Sequence, residues 1–197
     1  MDLFPSLKSL IRQEEPIPQY ALKMLYRILN YDKGFVEAVY NFDLSKEIVR
    51  CLYTRTRVGE GEMSVSTHAA KVLECVVGDD HSKIMVLHRF DIVNQICKAV
   101  LSAVREGVES SYEPLVHMVF VILDHARSLV QNKDSGVSVE DVREMCEDFI
   151  AVDFMEAIKQ LTQHSLSRVA ESPLRSHGNR SLSLLEELFP NTKQNFV

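Results

Sequence analysis

The chain has 197 residues, of which 46% are hydrophobic and 25% charged, with only 7 Gly and 6 Pro. That balance suits one folded domain or a short helical array and excludes wholesale disorder. The net charge of −6 argues against a general nucleic-acid binder, which needs a basic face, and no run of 18 apolar residues is present to cross a bilayer.

The first sixteen residues carry acids and two prolines and do not read as an ordinary signal peptide. Leu3, Leu7, Leu10 and Ile11 fall at helical spacing and predict a first helix, with Leu7 and Leu10 as candidates for an exposed, self-associating surface. Asp2 with Leu7 and Ile11 echoes Asp43 with Ile48 and Leu52, as in the last helix of a partial repeat. Pro16 and Pro18 set up a second helix over 19–29, with Ala21, Leu22, Leu25, Ile28 and Leu29 on one side. Gly34 is expected to stop it as a left-handed turn. A short helix over 35–40 follows, and then a longer one to about 53, which the Asp43 carboxylate is expected to cap.

After a polar break over 55–61 the same grammar returns. A helix from Ser64 or Ser66 runs to 77, a short one covers 82–88, and another, capped by Asp91, reaches about 105. The sequences agree as well. FDLSKEIVRCL over 42–52 matches FDIVNQICKAV over 90–100, and ALKMLYRIL over 21–29 matches AAKVLECVV over 69–77. Both pairs are offset by 90 − 42 = 48 residues, just above the roughly 40–47 residues of HEAT and armadillo units.

A third unit starts near 112–114 with a helix apolar on several sides, which predicts a central layer. Ser138 and Asp141 then make a capping box, and Asp153-Phe154 with Ile158 and Leu161 repeats the Asp-apolar helix. Residues 166–180, rich in Ser, Arg, His and Gly, read as a connector, and 181–197 as a short helix stopped by Pro190 plus a tail. The fold expected is all-α: an armadillo/HEAT-like, right-handed solenoid of about three units over 1–165, with a partial N-terminal unit and a helical C-terminal cap.

Candidates for chemistry are few. His88-Arg89-Phe90-Asp91 with Asn94 resembles a kinase catalytic loop, but Phe90 interrupts the triplet and Asn94 comes too early. His117 and His125 lie two helical turns apart, with no carboxylate or thiol at ligand spacing, so no metal site is expected. Cys51, Cys75, Cys97 and Cys146 are 22 or more residues apart, with no CxxC pair, and read as reduced thiols packed like small hydrophobes. An enzyme and a cofactor are therefore not expected. The binding candidates are basic: Lys23 and Lys71, which recur in register, and the strip Lys46, Arg50, Arg55 and Arg57. An acidic run, Glu140 to Glu156, is the opposite pole, either a solvated face or a docking charge. An importin-type groove is disfavoured because the chain contains no Trp.

The stretch EEPIPQYALKML over 14–25, followed by Gly34-Phe35 and Asp43-Leu44, resembles the C-terminal armadillo/HEAT region of Fused-type kinases, and of their Unc-51-like pseudokinase branch most of all. The likeness covers about 13–52 and fades in the second repeat, and its residues are structural, so it assigns no site. It implies a cytoplasmic scaffold in microtubule-based structures such as cilia or the cytokinetic apparatus. The partners implied are kinase, kinesin-like or cytoskeletal proteins. A regulatory subunit that binds and controls a kinase is the first alternative; an enzyme or metal protein with a site between helices is the second.

Overall fold

A computed structural model describes residues 3–14, 16–53, 64–107, 109–132, 134–164 and 172–190. Among them every regular element is a helix. In chain order these are α1 (Leu3–Ile11), α2 (Ile17–Tyr31), a 3-10 turn (Lys33–Phe35), α3 (Val36–Asn41), α4 (Leu44–Cys51), α5 (Val65–Val77), α6 (Ser82–His88) and α7 (Ile92–Glu106). Then come α8 (Glu109–Gln131), α9 (Val139–Cys146), a second 3-10 turn (Glu147–Ile150), α10 (Val152–His164) and α11 (Pro173–Leu188).

The helices pack in two rows. In one, α2 lies on α5, α5 on α8 and α8 on α11; in the other, α1 lies on α4, α4 on α7 and α7 on α10. Each row-to-row step is also a contact: α1 on α2, α4 on α5, α7 on α8, α10 on α11. The short helices α3, α6 and α9 bridge consecutive long ones. A helix of six to eight residues thus stands between two row helices three times, although α4 is no longer than α9, and the apolar stripes read from the sequence are buried. Leu22, Leu25, Leu29, Ile48, Leu73, Ile84, Leu87, Phe149 and Phe154 are all buried. Helix α8, apolar on several sides, touches α5, α6, α7, α9 and α11, as its composition predicts.

Local chemistry sets the joints. Ser64 Oγ accepts from Thr67 N–H at 3.1 Å to start α5, and Ser138 with Asp141 forms the expected capping box on α9. Two joints differ from expectation. Asp43 and Asp91 stand at the starts of α4 and α7, but neither carboxylate caps its helix. Both residues are left-handed, at φ 53° and 64°. Asp is one of the few residues that tolerates this conformation, so the repeated Asp marks a sharp backbone reversal. Its carboxylate is free to act elsewhere: Asp43 pairs with Lys8 at 3.6 Å and Asp91 accepts from Asn94 Nδ2 at 2.7 Å. Gly34, conversely, is not left-handed; its N–H donates to Asp32 Oδ1 at 2.8 Å, which closes the turn after α2.

The stretch read as a connector over 166–180 is helical from Pro173 onward. Its small residues are contact residues. Gly178 and Ser181 are buried, and a Cβ on Gly178 would collide with Cγ2 of Thr162 on α10. The Thr162 rotamer is pinned, because its Oγ1 donates to the Lys159 carbonyl at 2.7 Å. Helix α8 likewise begins a turn earlier than 112–114, with Pro114 inside it.

Gly178→Ala sets about 1 kcal/mol of helix propensity against roughly 1–3 kcal/mol of overpacking, so a net loss is expected in urea unfolding. Adding Thr162→Ser removes the colliding methyl and keeps the hydroxyl, and the double variant should regain the parent's stability or exceed it.

Candidate protein-interaction surface

The six basic candidates do not converge. Lys23 is exposed on α2, Lys71 is half-buried on α5, and Lys46 is exposed on α4 in the other row. Arg55 and Arg57 lie outside the described residues. Arg50 belongs to the frame of the fold. Its Nη1 donates to Glu47 Oε2 at 3.1 Å, while Arg12 Nη2 donates to Glu47 Oε1 at 2.6 Å. Glu47 is buried between them. Burial pushes its carboxyl up, but the Arg12 hydrogen bond and the charges of Arg12, Arg50 and Lys8 outweigh that and hold it below the usual carboxylate range. This clamp ties α1 to α4, and the basic strip is partly its outer half. The acidic run is a solvated face: Glu140, Asp141, Glu144, Glu147, Asp148, Asp153 and Glu156 are all exposed.

Around Lys23, however, a surface does form. Ile17, Tyr20, Met24 and Tyr31 follow one stripe along the outer side of α2, with Lys23 and Arg27 beside them. For three of the four the repeat gives a buried internal reference at an offset of 48. Ile17 is 41% exposed where Val65 is 0%, Tyr20 59% where His68 is 6%, and Met24 43% where Val72 is 0%. Helix α1 shows the same relation to α4: Leu3 and Leu10 are exposed, and their counterparts Leu44 and Cys51 are buried. The residue types are those of a packed face, and among the described residues no helix lies on it as α2 lies on α5. The opposite edge is different. The outward residues of α11 include Ser176, Asn179, Arg180, Ser183, Glu186 and Glu187, a polar cap. The first helix is thus only partly available for association: Phe4, Leu7 and Ile11 are core residues, and of the expected pair Leu7 and Leu10 only Leu10 faces outward.

Four histidines form two pairs, which sequence distance conceals. His81 Nδ1 and His125 Nδ1 are 2.9 Å apart, joining the start of α6 to α8. His117 on α8 and His177 on α11 have ring centroids 4.3 Å apart, and His117 Nε2 meets Glu74 Oε1 of α5 at 3.1 Å. Among the described residues, no three His, Cys, Asp or Glu side chains converge as metal ligands. A cleft of about 190 Å³ between α8 and α11 is lined by Arg127 and Arg180 but also by Asp124 and Glu187, so it offers little net charge to select a ligand. Cys51, Cys97 and Cys146 are buried, and burial pushes the Cys146 thiol up to about 12 and the Cys97 thiol higher still, which suppresses the nucleophilic thiolate. No described helix is long and apolar enough to cross a membrane.

Comparison of the chain with protein-family models, with curated proteins and with solved structures returned no match.

Glu47 supplies stability that is fully present above about pH 4.5, its unperturbed value, and is lost as pH falls through its lower folded value. Glu47→Gln should cost about 2 kcal/mol in urea unfolding at pH 7. The gap between variant and parent should narrow between about pH 5 and 3.

Proposed function

We propose that the chain is a non-catalytic interaction scaffold, an armadillo/HEAT-like solenoid whose α1–α2 edge receives an acidic amphipathic helix from a protein partner. The observation that carries this reading is the exposure of Ile17, Tyr20 and Met24 at positions that are buried one repeat later. Stacked repeats need a polar outer face at each end to stay soluble and unassociated, and of the two described edges α11 presents a polar face while α2 presents Ile17, Tyr20 and Met24. The occupant is a helix because α5, the counterpart of α2, packs on a helix of the preceding unit, α2 itself. Its polar side is acidic because α2 carries Lys23 and Arg27 on that side and no Asp or Glu anywhere along it, in a chain of net charge −6. Charge of that kind selects partners and speeds encounter more than it adds affinity.

The resemblance of residues 13–52 to the repeat region of Fused-type kinases extends this reading to a cytoplasmic, microtubule-associated setting with kinase or kinesin-like partners. That extension rests on the likeness alone. In the same reading Lys23 belongs to the binding edge and Arg50 to the frame behind it.

The probe is a peptide of residues 17–31 of this chain carrying Lys23→Glu and Arg27→Glu, since α2 is the helix that fits the equivalent face of α5. It should bind the protein in fluorescence anisotropy about three- to tenfold more tightly than the unmodified peptide, and the gap should shrink with salt. Met24→Asp in the protein should weaken binding at least tenfold with the helical circular dichroism unchanged. Equal affinity for the two peptides would remove the acidic partner. A concentration-dependent dimer in sedimentation, abolished by Met24→Asp, would give the edge to a second copy instead.

A further inference from the structure

Helix α11 is held to α8 differently along its two halves. The second half buries Leu184, Leu185 and Leu188. The first half rests on a column of rings: His177 lies 4.3 Å from His117 between centroids and stacks on Phe120 at 5.6 Å with an 11° tilt, while the Arg180 guanidinium sits 4.1 Å from the centre of the Phe120 ring. Both Nδ1 atoms, of His117 and of His177, are buried with no hydrogen-bond partner. A neutral imidazole tolerates this by leaving Nδ1 as a bare lone pair. A doubly protonated ring must place an N–H donor there, and an unmet buried donor is costly.

We propose that the first half of α11 is a proton-operated latch, closed on α8 while His177 is neutral and loosened when His177 takes up a proton. The charged surroundings make the second proton unwelcome. His177 faces His117 and Glu113 of α8, Arg180 of its own helix and Glu74 of α5, itself beside Lys71. Burial lowers the affinity of His177 for a proton, and His117 and Arg180 lower it further; Glu113 and Glu74 oppose them without prevailing. Glu74 is engaged elsewhere, since its hydrogen bond to His117 holds its own carboxyl low.

The sign follows from linkage. A histidine held below its ordinary 6.5 when docked binds protons better when undocked. Docking is fully favoured above about pH 6.5 and weakens, by up to tenfold per pH unit, as pH falls toward the docked value. The lost contacts are those of residues 173–181; Leu184 to Leu188 keep the rest of the helix in place. In the second pair His81 and His125 share one hydrogen bond, and burial and the neighbouring His81 lower the proton affinity of His125, with Asp124, the Gly78 carbonyl and Asp79 opposing. Its effect falls on the turn before α6 and on α6 itself, away from α11.

The test is amide hydrogen exchange of the whole chain, read by mass spectrometry and corrected for the intrinsic rate at each pH. Between pH 7.5 and 5.0 the protection of residues 173–181 should fall about tenfold or more, while α2 and α5 change less than twofold. His177→Phe keeps a ring against Phe120 without a titrating nitrogen and should abolish the pH dependence of that segment. It should leave any change in 78–88 intact. His177→Gln, which also does not titrate, should give the same flat response if the Phe variant fails to fold. Protection of 173–181 that is unchanged at pH 5.0, or that falls equally in the parent and both variants, would overturn the latch.

Discussion

Twice, forty-eight residues apart, this chain makes the same turn through a left-handed residue. A short helix ends, one residue takes positive φ, and a long helix leaves in a new direction; Asp43 and Asp91 are those residues. The step decides which way α4 and α7 run, and so whether each lies beside its predecessor in the row. An Ala in that position would cost about 1–2 kcal/mol from the clash of its Cβ with the following carbonyl. Asp reduces the cost, and its carboxylate then serves contacts chosen locally: Lys8 in one unit, Asn94 in the next. Backbone geometry is what repeats, while side-chain chemistry varies from unit to unit.

A stack built by such steps has two ends with different problems. Interior helices such as α5 and α8 are apolar on more than one side because each has a neighbour before and after it. The end helices inherit the same pattern from the repeat. At the α11 end the pattern has been replaced by Ser, Asn, Arg and Glu, while at the α1–α2 end Ile17, Tyr20 and Met24 keep it. Each such side chain is already about half buried, so it forgoes roughly 1 kcal/mol of burial while the rest of it faces water.

Much of the fold was legible in the sequence, for a physical reason. Helical periodicity and the 48-residue match report the backbone path directly, and the helices over 82–88 and from Ser64 to 77 sit where those signals place them. The errors arose where one residue type serves two conformations. Asp before a helix suggests a cap but also suits a left-handed turn, and Ser-Gly-rich sequence suggests a loop but also suits close helix packing, as at Gly178. The candidate surface was legible only at Lys23. Its neighbours Tyr20 and Met24 fall outside the apolar stripe read from the sequence, and the burial of His68 and Val72 at the matching places of α5 is what marks them as a face. Arg50 looked available because its partner Glu47, three residues before it, reads as another surface charge until α1 closes over it. The histidine pairs left no local trace, since 44 and 60 residues separate their members.

Helix α8 collects the consequences, because it touches both the polar cap and the interior. The three leucines that fasten the second half of α11 contribute about 2 kcal/mol each on burial. Loss of the ring contacts therefore acts on the first half of α11, where Leu174 is the one leucine and is only half-buried, and leaves the three buried leucines of the second half in place. The composition that makes 173–181 pack closely, with Gly178 against Thr162 and His177 against Phe120, also gives that half little apolar area to lose. Close packing through small side chains fixes geometry well and holds it weakly, so the place where this fold can respond to a proton is also the place where its sequence looks least like a helix.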